Sequence, residues 1–106
     1  MRFAGDMETY RVIQTLANKA KLDWCSIKPD EIAYLCRTLT GAGVKLRAVL
    51  CHGTRNASEQ KFFREQLPEA EILGTEISDT AAQFPMTIQW DFHEVKPEWV
   101  GHFDLV

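Results

Sequence analysis

No stretch of this chain approaches 18 consecutive apolar residues, which excludes a transmembrane helix. Neither sign of charge dominates: 12 Lys+Arg stand against 15 Asp+Glu, a net charge of −3. That balance argues against a nucleic-acid track or an anionic membrane surface as the main partner. The N-terminal MRFAGDMETYR has no continuous apolar core of the secretory-signal type. Cysteine is limited to Cys25, Cys36 and Cys51, an odd number at separations of 11 and 15 residues, which match no CxxC zinc or redox pattern. Reduced thiols and a cytoplasmic location are the expectation. Cys51 and His52 are adjacent, so on a strand they point to opposite faces and do not share a metal. His93 and His102 have no companion ligands in sequence, and no metal site is expected. Repeats, low-complexity segments and Ser/Gly/Pro-rich linkers are also missing.

What remains, 45% apolar and 25% charged residues over 106 positions, is the profile of one globular domain. Two helices are expected first, within residues 1–43. Tyr10, Ile13, Leu16, Ala17 and Ala20 share one helical face. Pro29, followed by Asp30 and Glu31, marks the first turn of the second helix, whose stripe is Ile32, Leu35, Cys36 and Leu39. Gly41 and Gly43 stop it, and Trp24 in the join reads as packing.

Residues 44–106 change period. Leu46, Ala48, Val49, Leu50 and Cys51 form a short apolar run suited to a strand covered on both faces. Gly53 ends it. Asn56 with Glu59 reads as a capping box, and Phe62, Phe63 and Leu67 give the next helix its apolar side before Pro68. A second strand runs from Ile72 to Glu76, then a weak helical turn from Ser78 to Phe84, for which Asp79 is a candidate cap. Met86, Ile88 and Trp90 alternate with polar residues as a half-covered strand does. Phe103–Val106 is expected as a fourth strand.

This order is α/β: a Rossmann-like, doubly wound, mostly parallel sheet of order 3-2-1-4, preceded by two helices. Ligands in such sheets bind at the carboxyl ends of the strands. Gly53, Glu76 and Asp91 all fall there. The Gly53-Thr54-Arg55-Asn56 turn leads into a helix whose free N–H groups suit an anion. Arg55 and Ser58 occupy places where a dinucleotide fingerprint has glycine, which disfavours an NAD pyrophosphate. Glu76 lies 23 residues beyond Gly53, near the roughly 20-residue offset of ribose-binding acids. Asp91 with Phe92 suits an adenine amino group beside an aromatic, although Asp is equally frequent before turns for local reasons.

The segments CHGTRNASEQKFF, EILGTEIS, TIQWDFHEV and HFDLV, in that order, resemble the first half of a class I S-adenosylmethionine-dependent methyltransferase. The resemblance implies S-adenosylmethionine as cofactor. It puts Gly53, Thr54, Arg55 and Asn56 around the methionine part, Glu76 on the ribose and Asp91 on adenine, with Ile77 and Phe92 packing the base. The first motif departs from the family in having little glycine. Arg55 is suited to the methionine carboxylate. In the resembled family the acceptor-orienting residues come from the later half of the sheet, so no catalytic residue is assigned. An apolar strand ending at Val106 beside the switch point is the basis for expecting a partial domain, completed by further chain or by a homo-oligomeric partner. The acceptor is expected to be a small molecule. The alternatives are a non-catalytic nucleotide-binding or scaffold protein on the same half-fold and, less favoured, an NAD-dependent oxidoreductase fragment.

Overall fold

A computed structural model describes residues 6–106. The signal-sequence reading of the N-terminus rests partly on residues 1–5, which lie outside the described residues. Strand β1 (Ala48–His52) is the centre of gravity of the core, with Val49 1% exposed. Its near-continuous apolar run is buried on both faces, as expected. It pairs in parallel with β2 (Glu71–Glu76), Val49 opposite Ile72 and Cys51 opposite Gly74. β2 pairs in parallel with β3 (Thr87–Gln89), Gly74 opposite Thr87. The architecture is therefore α/β with a three-stranded parallel sheet, order β1-β2-β3.

The three strands lie in the order 3-2-1, and the fourth strand of the expected order 3-2-1-4 is not formed as a strand. Leu105 makes one isolated parallel bridge to Val49. Leu50 N–H donates to the Leu105 carbonyl at 3.0 Å and Asp104 N–H to the Ala48 carbonyl at 2.9 Å. Just before this point the Asp104 carboxylate, in place of a main-chain carbonyl, accepts the N–H groups of Arg47 (2.7 Å) and Ala48 (3.1 Å). Pairing contracts to a single bridge for that reason.

Helices α2 (Pro29–Gly41) and α3 (Ser58–Gln66) lie together over one face of the sheet. Ile32 and Cys36 of α2, Phe63 of α3, Val49 and Cys51 of β1 and Ile72 of β2 form one cluster with Leu46. Each such aliphatic or aromatic side chain contributes about 1.5–3 kcal/mol by leaving water. The Glu31 carboxylate accepts the Lys28 N–H at the start of α2. At its end Gly43 has φ +88, and the Val44 and Gly43 N–H groups reach back to Leu39 and Thr40 carbonyls. This is a Schellman ending, which needs the left-handed glycine. Leu35 of the expected stripe is 37% exposed.

Three local expectations change. The capping box at Asn56 and Glu59 is absent: left-handed Ala57 (φ 61) precedes α3, and the Asn56 amide is divided between the Ser58 N–H and the Leu22 carbonyl. Ser78, not Asp79, caps the 3-10 turn Asp79–Gln83, accepting the Thr80 N–H, while Asp79 pairs with Arg11. Helix α1 (Met7–Ala20) is the largest change. Its expected apolar face lies outward, with Ile13 49% and Leu16 64% exposed, and its buried residues are Thr15 and Asn18. No helix among the described residues is long and apolar enough to cross a membrane.

Candidate functional site

The carboxyl ends of β1, β2 and β3 open on one side, and α1 lies across them. After His52 the chain turns at Gly53, whose φ of +67 is the left-handed region; a Cβ there would meet nothing, so the backbone angle alone calls for glycine. Thr54 N–H donates to the Thr75 carbonyl at 3.0 Å, fastening the loop to β2. Its buried hydroxyl accepts the Gln60 Nε2 at 3.1 Å. Arg55 then projects towards α1. Its Nε donates to Asn18 Oδ1 at 3.1 Å, and its Cζ sits 5.2 Å from the centre of the Trp24 ring. Arg55 Nη1 is buried with no hydrogen-bond partner. The packing that Trp24 provides is against this guanidinium, and the side chain is 56% exposed.

Glu76 ends β2 and is only 3% exposed. One of its oxygens accepts the Ser78 N–H at 2.9 Å. A cleft of about 110 Å³ is lined by Gly53, Thr54, Arg55, Asn56 and Glu76, together with Gln14, Trp24 and Cys25. A second, of about 160 Å³, shares Gly53, Glu76 and Gln14 with the first and adds Ile77, Trp90 and Phe92. Seven of the eight residues named from sequence therefore line two adjoining clefts, with Glu76 at their junction.

Asp91 stands apart. It lines an open groove of about 550 Å³ beyond Trp90 and Ile77. Its Oδ1 accepts both the His93 N–H (3.0 Å) and His93 Nδ1 (2.8 Å), and the main-chain bond from His93 holds its carboxyl below the usual carboxylate range. That is the local turn role Asp often takes before a turn. Phe92 is 56% exposed, its ring 5.1 Å from that of His52. His52 Nδ1 lies 2.7 Å from the Thr75 hydroxyl, and burial lowers the imidazole's pKa. Burial also pushes up the Glu59 carboxyl on the wall of the first cleft.

Sequence reasoning missed the contribution of α1 and the turn after it: Gln14, Asn18 and Trp24. Arg11, Gln14, Thr15 and Asn18 do recur at helical spacing, but the apolar face beside them outweighed that stripe. Chemically the site offers a guanidinium with one unpartnered nitrogen, a buried carboxylate on the same cleft, and aromatic surface beyond it. This combination fits an elongated ligand with an anionic end, a hydroxyl-bearing middle and a flat apolar end. Among the described residues no group of three or more His, Cys, Asp or Glu side chains is placed to hold a metal. Compared with protein-family models, curated proteins and solved structures, the chain matches none.

Proposed function

We propose that this chain is the cofactor-binding part of an S-adenosylmethionine-dependent methyltransferase acting on a small-molecule acceptor. The observation that carries the reading is the adjoining pair of clefts at the strand ends, with Arg55, whose Nη1 is buried and unpartnered, lining one and the buried Glu76 at the junction. The residues fit the cofactor. A guanidinium donor buried without a partner is completed by a carboxylate, and a strand-end carboxylate accepts hydrogen bonds from a ribose diol. Arg55 would hold the methionine carboxylate, Glu76 the ribose, and Ile77 and Phe92 the base. Asp91, in the groove beyond, reaches adenine in this reading only by giving up part of its turn to His93. The Leu105 bridge lies on the open side of β1, where the order 3-2-1-4 has its fourth strand.

The bound cofactor supplies a methyl group activated by the sulfonium charge. The chain's own part is to bind and orient: Arg55 and Glu76 fix the two polar ends of the ligand, and Trp24 and Phe92 restrict water at its flanks. Thermal shift tests this directly. S-adenosylmethionine and S-adenosylhomocysteine at 100 times their dissociation constants should stabilise the chain by about 2.7 kcal/mol, and NAD should not. Glu76→Gln, which retains the shape of the side chain, should lose most of both shifts. A flat response to both sulfur nucleosides, or shifts unaltered in Glu76→Gln, overturns the proposal.

A further inference from the structure

Arg55 is not positioned by its own loop. Its Nε is fixed by Asn18 Oδ1 on α1, and Asn18 is fully buried. The same oxygen accepts Gln14 Nε2 at 2.7 Å, while Asn18 Nδ2 donates to the Thr80 hydroxyl at 3.4 Å. Arginine and the Gln14 amide nitrogen only donate, so the Asn18 oxygen must face them, and its amide orientation is settled by its partners. Trp24 covers one side of the guanidinium. One Nε bond and one ring leave Nη1 buried and unpaired, on a side chain that lines the first cleft. A buried donor left in that condition is unfavourable in the free protein and is completed when an acceptor arrives.

We propose that Asn18 is the positioning residue for Arg55, and that this pair makes the site select nucleosides carrying an amino-acid carboxylate over those that lack one. The proposal rests on the reading of the clefts as a sulfur-nucleoside site. A neutral amide is the suitable partner for the task. It orients Nε yet leaves the full positive charge of Arg55 for the ligand, whereas a carboxylate at position 18 would form an ion pair and compete with it. Holding a rotamer-rich arginine before binding also reduces the freedom lost when the ligand is captured.

Titration calorimetry with S-adenosylhomocysteine and 5′-methylthioadenosine, which share the adenosine and thioether but differ in the amino-acid end, separates the possibilities. The wild-type chain should prefer S-adenosylhomocysteine. Asn18→Ala should weaken that ligand about tenfold while leaving 5′-methylthioadenosine within about twofold, the worth of one charge-assisted hydrogen bond. Adding Asn18→Ala to Arg55→Ala should weaken S-adenosylhomocysteine no further than Arg55→Ala does. Equal loss for both ligands assigns Asn18 a purely structural role and overturns the inference, while the sulfur-nucleoside reading stands. A wild type that binds both equally overturns it through Arg55, and a wild type that binds neither removes the reading and the inference together. A measurement on the unmutated chain guards against misfolding of the variant. The Arg55 Nε–H proton resonance, assigned by its loss in Arg55→Lys, should be protected from solvent exchange and should move with S-adenosylhomocysteine but not with 5′-methylthioadenosine. Rapid exchange in the free chain refutes a fixed Asn18–Arg55 bond.

Discussion

Replacing Gly74 with alanine tests how the loop that carries Arg55 is tied to the sheet. A Cβ at Gly74 would lie 1.9 Å from Gln60 Nε2, 2.6 Å from Gln60 Cδ and 2.7 Å from the Thr54 hydroxyl. Gln60 is fully buried, and its Nε2 donates to Thr54 at 3.1 Å and to Thr87 at 3.0 Å. The amide therefore joins α3, the loop after β1 and the start of β3, and has no room to retreat. Expelling it forfeits two hydrogen bonds at about 1 kcal/mol each and adds overpacking strain of about 1–3 kcal/mol. Against this stands a gain of about 0.4–1 kcal/mol from a less flexible unfolded chain. The net expectation is a loss of about 2–4 kcal/mol in urea unfolding followed by far-UV circular dichroism. Gln60→Ala removes the obstructing amide, so Gly74→Ala made in that background should be neutral or stabilising. The cycle should then show a coupling of at least about 2 kcal/mol, in the range seen for contacting residues. Equal losses from Gly74→Ala in both backgrounds would refute the reasoning.

Three further outcomes follow from the titrating groups. Asp104 is held below the usual carboxylate range by the Arg47 and Ala48 N–H groups. Its contribution is whole above its unfolded value near about pH 4 and is lost as pH falls through the lower folded value; Asp104→Asn should flatten that part of a plot of thermal midpoint against pH. Burial lowers the His52 pKa, so the folded chain resists protonation there. Stability linked to His52 is whole above about pH 6.5 and drains as pH falls through the folded value, and His52→Gln should lessen the slope between about pH 7 and 5. An unaltered slope refutes it. Burial pushes the Cys51 thiol up to about 12 and raises Cys36 as well, whereas Cys25 is half-buried on the cleft wall. A disulfide reagent at mildly alkaline pH should label one thiol quickly and the other two only after unfolding; two fast thiols would contradict the burial of β1 and α2.

The elements that were legible in the residues are those whose signals come from the backbone or from the apolar core. Pro29 at the start of α2 and Pro68 after α3 restrict the backbone wherever the chain goes, Gly43 permits the left-handed turn that ends α2, and the unbroken run at Val49-Leu50-Cys51 requires cover on both faces. The clefts were legible for a related reason: parallel strands leave their carboxyl ends on one side, so Gly53 and Glu76 meet whatever their immediate neighbours are. Asp91 was less so, because a carboxylate before a turn has a local partner within reach, here His93. The fourth strand was over-read from Phe103 and Leu105. Asp104 between them takes main-chain donors with its side chain, and hydrophobic pattern alone carries no record of that competition.

Helix α1 failed for a different reason, and that reason bears on function. Its period located the helix, yet the face with Ile13 and Leu16 lies outward and the face with Thr15 and Asn18 inward. Burying the apolar face would be favoured if α1 lay on the sheet core. It lies instead against the 3-10 turn and the mouth of the sheet, where the groups to be covered are polar: the Asp79 N–H that donates to the Thr15 hydroxyl, the Thr80 hydroxyl that accepts from Asn18, and the Arg55 Nε. An apolar stripe laid there would leave the Asp79 N–H and the Arg55 Nε without a partner, at about 1–3 kcal/mol apiece, and the Thr80 hydroxyl with Ser78 alone. A polar stripe at the same spacing satisfies them. Local pattern and tertiary placement disagree at this helix and agree over most of the core, and such disagreements concentrate where a fold serves a ligand in place of its own packing. The inverted helix thereby points to the same strand ends as Arg55, through the Asp79 N–H and the Thr80 hydroxyl as well as through the Arg55 Nε.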